Sequence, residues 1–176
     1  MMRRLFTWGI YGWLTLAGGS VALAAENMSF SGMLIEQGPC KLDGNNKAEV
    51  DFGDLQIEDI GKDSVSKIAS FRWECVGGMG NKLLMVRHIG TASSFDKAAV
   101  QTNIEDFAIN IKLNTNLSKN FPFIIGEASP VTDQRWGEGE SASSFITLIA
   151  TPVKRPGADI QPGEFSALST LQLEYQ

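Results

Sequence analysis

The sequence predicts an all-β domain, an antiparallel sandwich preceded by an export signal. From Ser29 onward, short apolar, β-branched and aromatic runs alternate with clusters of Gly, Asn, Pro and Ser, a spacing typical of β-sandwiches. A 3.6-residue apolar period, which would indicate amphipathic helices, is almost absent. The chain has 176 residues, of which 43% are hydrophobic and 20% charged, so its size and composition fit one ordinary globular domain.

Residues 1–24 have the organisation of a secretory signal peptide. Arg3 and Arg4 precede an apolar run over 5–16, and the small residues Ala22 and Ala24 suit a signal peptidase. A membrane anchor is the alternative, but the run falls short of the roughly 20 residues that span a bilayer. We therefore expect cleavage after Ala24 and no transmembrane segment in the exported chain.

The strands predicted for the exported chain are short and are separated by turn sequences such as Gly38-Pro39 and Pro156-Gly157. One further segment, 98–104, is predicted to hold a turn of helix. The predicted strands cover 30–36, 40–42, 49–55, 66–75, 82–89, 107–113, 123–125, 144–152 and 164–175.

The last predicted strand alternates between apolar and polar residues almost without interruption. Leu168 and Ser169 are the exceptions, each with the polarity expected of the other face. Because no later sequence supplies a turn and a neighbour, we expect the outer edge of this strand to be unpaired. The predicted buried face consists of Phe165, Ala167, Leu171, Leu173 and Tyr175.

A second alternating segment lies before the first cysteine. Met28, Phe30, Gly32 and Leu34 share one face of this extended stretch. The segment could pack on the domain or project from it. A projecting strand together with a sheet that has an open edge favours β-strand addition between molecules.

Export also determines how the two cysteines are interpreted. In an oxidising compartment, Cys40 and Cys75 are expected to form a disulfide, which in the chain-entropy model stabilises the fold by roughly 3–4 kcal/mol. Two free thiols are the alternative.

Composition argues against several classes of chemistry. The net charge is −5 with no basic stripe, which argues against a nucleic-acid partner. One histidine, His88, and two cysteines cannot form a Cys/His zinc cage, and any catalytic triad would depend on His88 alone. We therefore expect neither an enzyme nor a cofactor. Trp136, set among Gly, Glu and Gln, is a candidate for carbohydrate stacking, so the alternative function is a stand-alone secreted carbohydrate-binding β-sandwich.

Several motifs together resemble the pilin subunits of chaperone–usher fimbriae of the type 1 and P-pilus kind. Gly32 lies within the alternating extension, Cys40 follows it, and Cys75 ends a predicted strand. Gly163 is the fourteenth residue from the end and Tyr175 is the penultimate residue, as in the β-zipper signature of that family. The other matching stretches are Val50-Asp51-Phe52-Gly53 and Phe71-Arg72-Trp73-Glu74.

The resemblance implies an incomplete immunoglobulin-like sandwich that lacks its final strand and is completed by a donor strand from another protein. Residues 25–39 would be the donor extension, with Met28, Phe30, Gly32 and Leu34 as its inserting residues, and 40–176 would be the pilin domain. The implied partners are a periplasmic chaperone, an outer-membrane usher and neighbouring subunits in a cell-surface fimbria. The implied groove strand, which both chaperone and next subunit would use, includes Gly163, Phe165, Ala167, Leu171, Leu173, Tyr175 and Gln176.

The chain's length also bears on its place in a fibre. After removal of the signal, it has no room for the additional lectin domain that a tip adhesin usually carries. The extension and the irregular acidic stretch around Trp136 favour a minor or adaptor subunit that supports adhesion.

Overall fold

The computed structural model describes residues 40–43, 48–77, 80, 82–117, 119–133 and 140–176. Their ordered elements are nine strands and two short 3-10 helices, Ile57–Asp59 and Asp63–Val65. No helix among the described residues has the length and apolar character needed to cross a membrane. The strands are β1 (Cys40–Asp43), β2 (Lys67–Val76), β3 (Leu84–Gly90), β4 (Ala99–Gln101), β5 (Phe107–Asn114), β6 (Phe121–Pro122), β7 (Ala128–Pro130), β8 (Ser141–Lys154) and β9 (Ser169–Tyr175).

The strands form two antiparallel sheets. The larger sheet has the order β1-β2-β8-β5-β4, with β6 attached to β5, and the smaller sheet has the order β7-β3-β9. In the larger sheet the central pairing of β2 with β8 runs from Lys67 opposite Ala150 to Val76 opposite Ser141. The non-sequential strand order means that the chain passes repeatedly between the sheets, as in Greek-key sandwiches.

One hydrophobic core joins the two sheets. Trp73, Leu113 and Ile146 from the larger sheet and Leu84 and Val86 from the smaller sheet belong to a single buried cluster, and each is at most 2% exposed. Residues of alternating position supply this core because successive side chains of a strand point to opposite faces. Each fully buried large aliphatic side chain contributes about 1.5–3 kcal/mol relative to an exposed one. The predicted all-β sandwich is confirmed.

The predicted disulfide is present. Cys40 of β1 lies directly opposite Cys75 of β2 and is bonded to it. The bond fastens the short edge strand β1, at the point where the described residues begin, to the long strand beside it.

The prediction of a strand over 49–55 is wrong. This segment contains no strand, because Gly53 adopts a left-handed conformation with φ +62°, a conformation that glycine reaches without steric cost. The side chain of Asp51 accepts a hydrogen bond from the Gly53 N–H at 2.8 Å. This local turn competes with ladder pairing.

Two other predicted elements also differ. The helical turn predicted over 98–104 is instead β4, whose residues pair with Ala108–Asn110 of β5. The predicted strand over 123–125 is a crossing between sheets: the Phe123 N–H donates to Ile111 of β5, whereas Ile125 bridges to His88 of β3. A three-residue segment shared between two sheets pairs as a regular strand with neither.

The final predicted strand, 164–175, is ordered as a strand only over Ser169–Tyr175. Its partner β3 ends at Gly90, which lies opposite Ser169. Residues 164–168, which precede Ser169, have no neighbouring strand in the smaller sheet as described. They therefore lie outside the ladder.

Candidate functional site: an acceptor edge along the last strand

The two sheets present neighbouring edges on one side of the sandwich. Among the described residues, β9 pairs only with β3 and β1 pairs only with β2. Tyr175 connects these edges: its hydroxyl accepts the Cys40 N–H at 3.0 Å and donates to the Cys40 carbonyl oxygen at 3.2 Å. We call the side of residues 165–175 that faces away from β3 the acceptor edge.

The register of β9 determines which backbone groups lie along the acceptor edge. Gln176 and Leu83 exchange two backbone hydrogen bonds, so even-numbered residues of β9 direct their N–H and C=O groups toward β3. In an antiparallel ladder the direction alternates with each residue. The odd-numbered residues therefore direct their N–H and C=O groups to the acceptor edge, where no described strand meets them.

Three of the four odd-numbered residues of β9 also carry apolar side chains. Leu171, Leu173 and Tyr175 lie opposite His88, Val86 and Leu84 of β3, on the face directed into the sandwich. All three of these β9 side chains are half-buried and pack against the core. The acceptor edge thus combines a row of backbone hydrogen-bonding groups with an apolar row directly beside it.

An aromatic cluster extends the apolar row before β9 begins. The Phe165 ring meets the buried Phe107 edge-on, with 5.0 Å between centroids, and lies 5.9 Å from the ring of Phe52. Phe52 belongs to the segment between β1 and β2, where Val50 and Leu55 are also half-buried. Phe52 is therefore the residue of this segment that faces Phe165.

His88 lies under the acceptor edge and has a structural environment. It is fully buried, its ring stacks on Phe123 with 4.8 Å between centroids, and its Nδ1 lies 3.1 Å from the Phe123 carbonyl oxygen. Burial lowers the pKa of His88 below its ordinary value, opposed in part by the Phe123 carbonyl. The described residues contain no group of three His, Cys, Asp or Glu side chains arranged for a metal ion.

An ion pair joins β9 to β3 on the outer face. Arg87 donates to both carboxylate oxygens of Glu174, with 2.8 Å between Nη2 and Oε2, and also to the Gly126 carbonyl oxygen. The hydrogen bonds from Arg87 lower the pKa of Glu174. Such a bidentate pair orients β9 on its partner strand and leaves the opposite edge unobstructed.

The structure brings most of the predicted groove residues into one row. Phe165, Ala167, Leu171, Leu173 and Tyr175 all pack against the core. Gly163 and Gln176 are exposed at the two ends of this row, and a Cβ atom added to Gly163 would meet only Ile104 Cδ1, at 3.9 Å. The subunit's own packing therefore does not require glycine at 163.

Some predicted site residues lie outside the described part of the chain, and two described residues were not predicted as part of the site. The predicted site residues outside the described part are Met28, Phe30, Gly32, Leu34 and Trp136. The described residues that were not predicted are Phe52 and Asn103. Phe52 was placed in a strand motif without a role at the groove, and Asn103 hydrogen-bonds to 164–166. No sequence pattern marks Asn103.

Comparisons with known proteins agree with this architecture. The family model described as "Fimbrial protein" matches residues 28–176. The Escherichia coli K12 protein named "Uncharacterized fimbrial-like protein YfcQ" is 29% identical over 173 residues, covering 93% of this chain and 96% of its own length. A second relative from the same organism, the fimbrial-like protein YfcR, is 28% identical and covers 78% of this chain and 74% of its own.

Solved structures share the fold. The P pilus rod subunit PapA aligns with a TM-score of 0.53 at 19% identity, covering 79% of this chain and all of its own. The P pilus adaptor subunit PapF aligns with a TM-score of 0.55 at 16% identity, covering 78% and 96%. Because the family model matches residues 28–176, the chain belongs to the fimbrial protein family: it is a non-enzymatic structural pilus subunit, exported to cell-surface fimbriae.

Proposed function

We propose that this pilin polymerises by donor-strand exchange at the acceptor edge. The observation that carries the proposal is the coincidence, at Leu171, Leu173 and Tyr175, of outward-directed backbone groups and half-buried apolar side chains on the same residues. An extended segment with apolar residues at alternate positions would satisfy both at once.

The physical need for such a segment comes from the cost of leaving the edge open. Apolar area kept in water costs roughly 25 cal/mol per Å². An unpaired strand edge is also a template for uncontrolled association. A subunit with this edge therefore needs a temporary strand before assembly and a permanent one afterward.

The temporary strand would come from a periplasmic chaperone and the permanent one from the next subunit delivered to the usher. Basic residues of the chaperone would hold the C-terminal carboxylate of Gln176, which is exposed at the end of β9. This subunit's own 25–39 segment, through Met28, Phe30, Gly32 and Leu34, would in turn fill the groove of a preceding subunit. A minor or adaptor position in the fibre remains the prediction from sequence.

The first test compares the natural chain with a self-complemented chain, which carries a flexible linker after Gln176 followed by a second copy of residues 26–36. The linker lets the added strand run antiparallel to β9. We expect the natural chain to need a co-expressed chaperone for soluble yield, and the self-complemented chain to be a monomer of higher Tm without it. A protease-resistant natural monomer with the same Tm as the self-complemented chain would contradict the proposal and favour a stand-alone binding domain.

A further inference from the structure

Strand β3, which pairs with β9, ends too early to support the whole acceptor edge. The last residue of β3, Gly90, pairs with Ser169. Residues 164–168 nonetheless continue the alternation of β9, with Phe165 and Ala167 packed on the core and Leu168 86% exposed. Some other group must hold this stretch in line.

Asn103 hydrogen-bonds to the backbone of this stretch. Its Oδ1 accepts the Ser166 N–H at 2.7 Å, its backbone N–H donates to the Ser166 carbonyl oxygen at 3.3 Å, and its Nδ2 donates to the Glu164 carbonyl oxygen at 3.0 Å. Three hydrogen bonds from one residue thus take the place of a strand.

The pattern of these bonds matches the ladder of β9. Glu164 and Ser166 are even-numbered, as are the residues of β9 whose backbone groups face β3. Asn103 therefore lies on the β3 side and leaves the N–H and C=O groups of Phe165 and Ala167 directed to the acceptor edge. The geometry continues the acceptor edge past the end of β3.

The loop that carries Asn103 is itself fixed. The Thr102 hydroxyl donates to the Phe107 carbonyl oxygen at 2.7 Å and accepts the Ile104 N–H at 3.1 Å. Thr102 is 6% exposed. The Asn103 side chain is therefore presented from a braced turn at the start of β5.

We propose that Asn103 is a positioning residue that holds residues 164–168 in line with β9, so that the acceptor edge continues past the end of β3 and the subunit can accept a longer donor strand. This inference rests on the proposed function. If Asn103 acts in recognition of the donor strand, its contribution to stability depends on the length of that strand. If Asn103 only supports the fold, its contribution is the same for every donor length.

The test uses two donor lengths in the self-complemented chain. The long form carries residues 26–36. The short form carries residues 26–31, which in an antiparallel hairpin can reach β9 but not 164–168. When Asn103 is unchanged, we expect the long form to have a higher Tm than the short form, because its additional residues pair with residues 164–168, which Asn103 holds.

Asn103→Ala is expected to remove most of the Tm difference between the long and short forms. The Tm of the short form itself should change by no more than about 3 °C. Asn103→Asp keeps the acceptor for the Ser166 N–H and should retain part of the difference. The matched control is Asn110→Ala, which loses one side-chain hydrogen bond, to Asp96 at 2.7 Å, away from β9. It should shift both forms equally.

Two outcomes would overturn the inference. An equal loss of Tm in the long and short forms of Asn103→Ala would make Asn103 a residue of general stability. If neither added strand raises the Tm of the parent chain, the acceptor edge itself, and with it the proposed function, fails.

Discussion

At the scale of single residues, Tyr175 connects the two sheets at the end of the acceptor edge. Replacing it with Phe keeps the ring but removes both hydrogen bonds to the Cys40 backbone. We expect the self-complemented chain to lose about 1–2 kcal/mol of unfolding free energy, measured by urea denaturation with an unchanged m-value.

Ser70→Ala is the control for Tyr175→Phe. It removes an exposed hydroxyl pair with Thr147, 3.1 Å apart on the outer face, and should change stability by less than about 0.5 kcal/mol. If Tyr175→Phe has an effect no larger than this control, the contact does not hold the edges together.

We expect the burial of His88 to make the stability of the subunit depend on pH. Burial lowers the pKa of His88 in the folded chain below its ordinary value of 6.5. Between that lowered pKa and 6.5, the unfolded chain therefore binds a proton at His88 more readily than the folded chain does. The unfolding free energy should therefore fall as pH decreases from 7 through 6.5, by at most about 1.4 kcal/mol per pH unit.

Denaturation of the self-complemented chain at several pH values from 7.0 to 5.5 measures this slope. His88 is the only histidine, so His88→Leu should flatten the slope in this window. A slope that persists in His88→Leu would assign the effect to another group.

At the scale of elements, the ion pair on the outer face orients β9 against β3. Glu174→Gln weakens the bidentate contact with Arg87, whose side chain is 32% exposed against 21% for Glu174. We expect a small loss of stability that shrinks as salt is added, because partly exposed pairs are screened. The measurement is Tm of both proteins at low and high salt, and a difference independent of salt would contradict an electrostatic origin.

The elements also show what sequence patterns can predict. Alternation correctly located the apolar face of the last strand, because that face follows directly from the two-residue period of a β-strand. It did not give the length of the strand, since β3 ends at Gly90, far away in sequence. The break at Gly53 depends on one backbone conformation, which apolar patterning does not report.

The candidate site was predictable to a similar extent. Phe165, Leu171, Leu173 and Tyr175 could be grouped because they share one face of one segment. Asn103 could not, because its role comes from a loop brought beside 164–166 by tertiary packing. Side-chain hydrogen bonds to distant backbone leave no periodic signal in the sequence.

At the scale of the whole molecule, the part of the sandwich that the structure describes has an edge strand, β9, with an apolar row directly beside it. Its core is continuous between the sheets, and the Cys40–Cys75 bond fastens the larger sheet's edge strand. The smaller sheet's edge, β9, has no described partner beyond β3. Under the proposed function, another chain would supply the strand that completes this edge.

Residue-resolved amide hydrogen exchange tests most directly whether a strand adds at the acceptor edge. Two samples are compared. One is the self-complemented chain, and the other is the chaperone-bound natural chain after a peptide of residues 26–36 has been added. In the self-complemented chain we predict slow exchange at the odd-numbered amides of 165–175, in addition to the even-numbered amides of β9 that already face β3. In the chaperone-bound chain the odd-numbered amides should already be protected by the chaperone's strand, and the peptide should preserve that protection as it displaces the chaperone. Odd-numbered amides that exchange freely in the self-complemented chain would contradict strand addition at the acceptor edge.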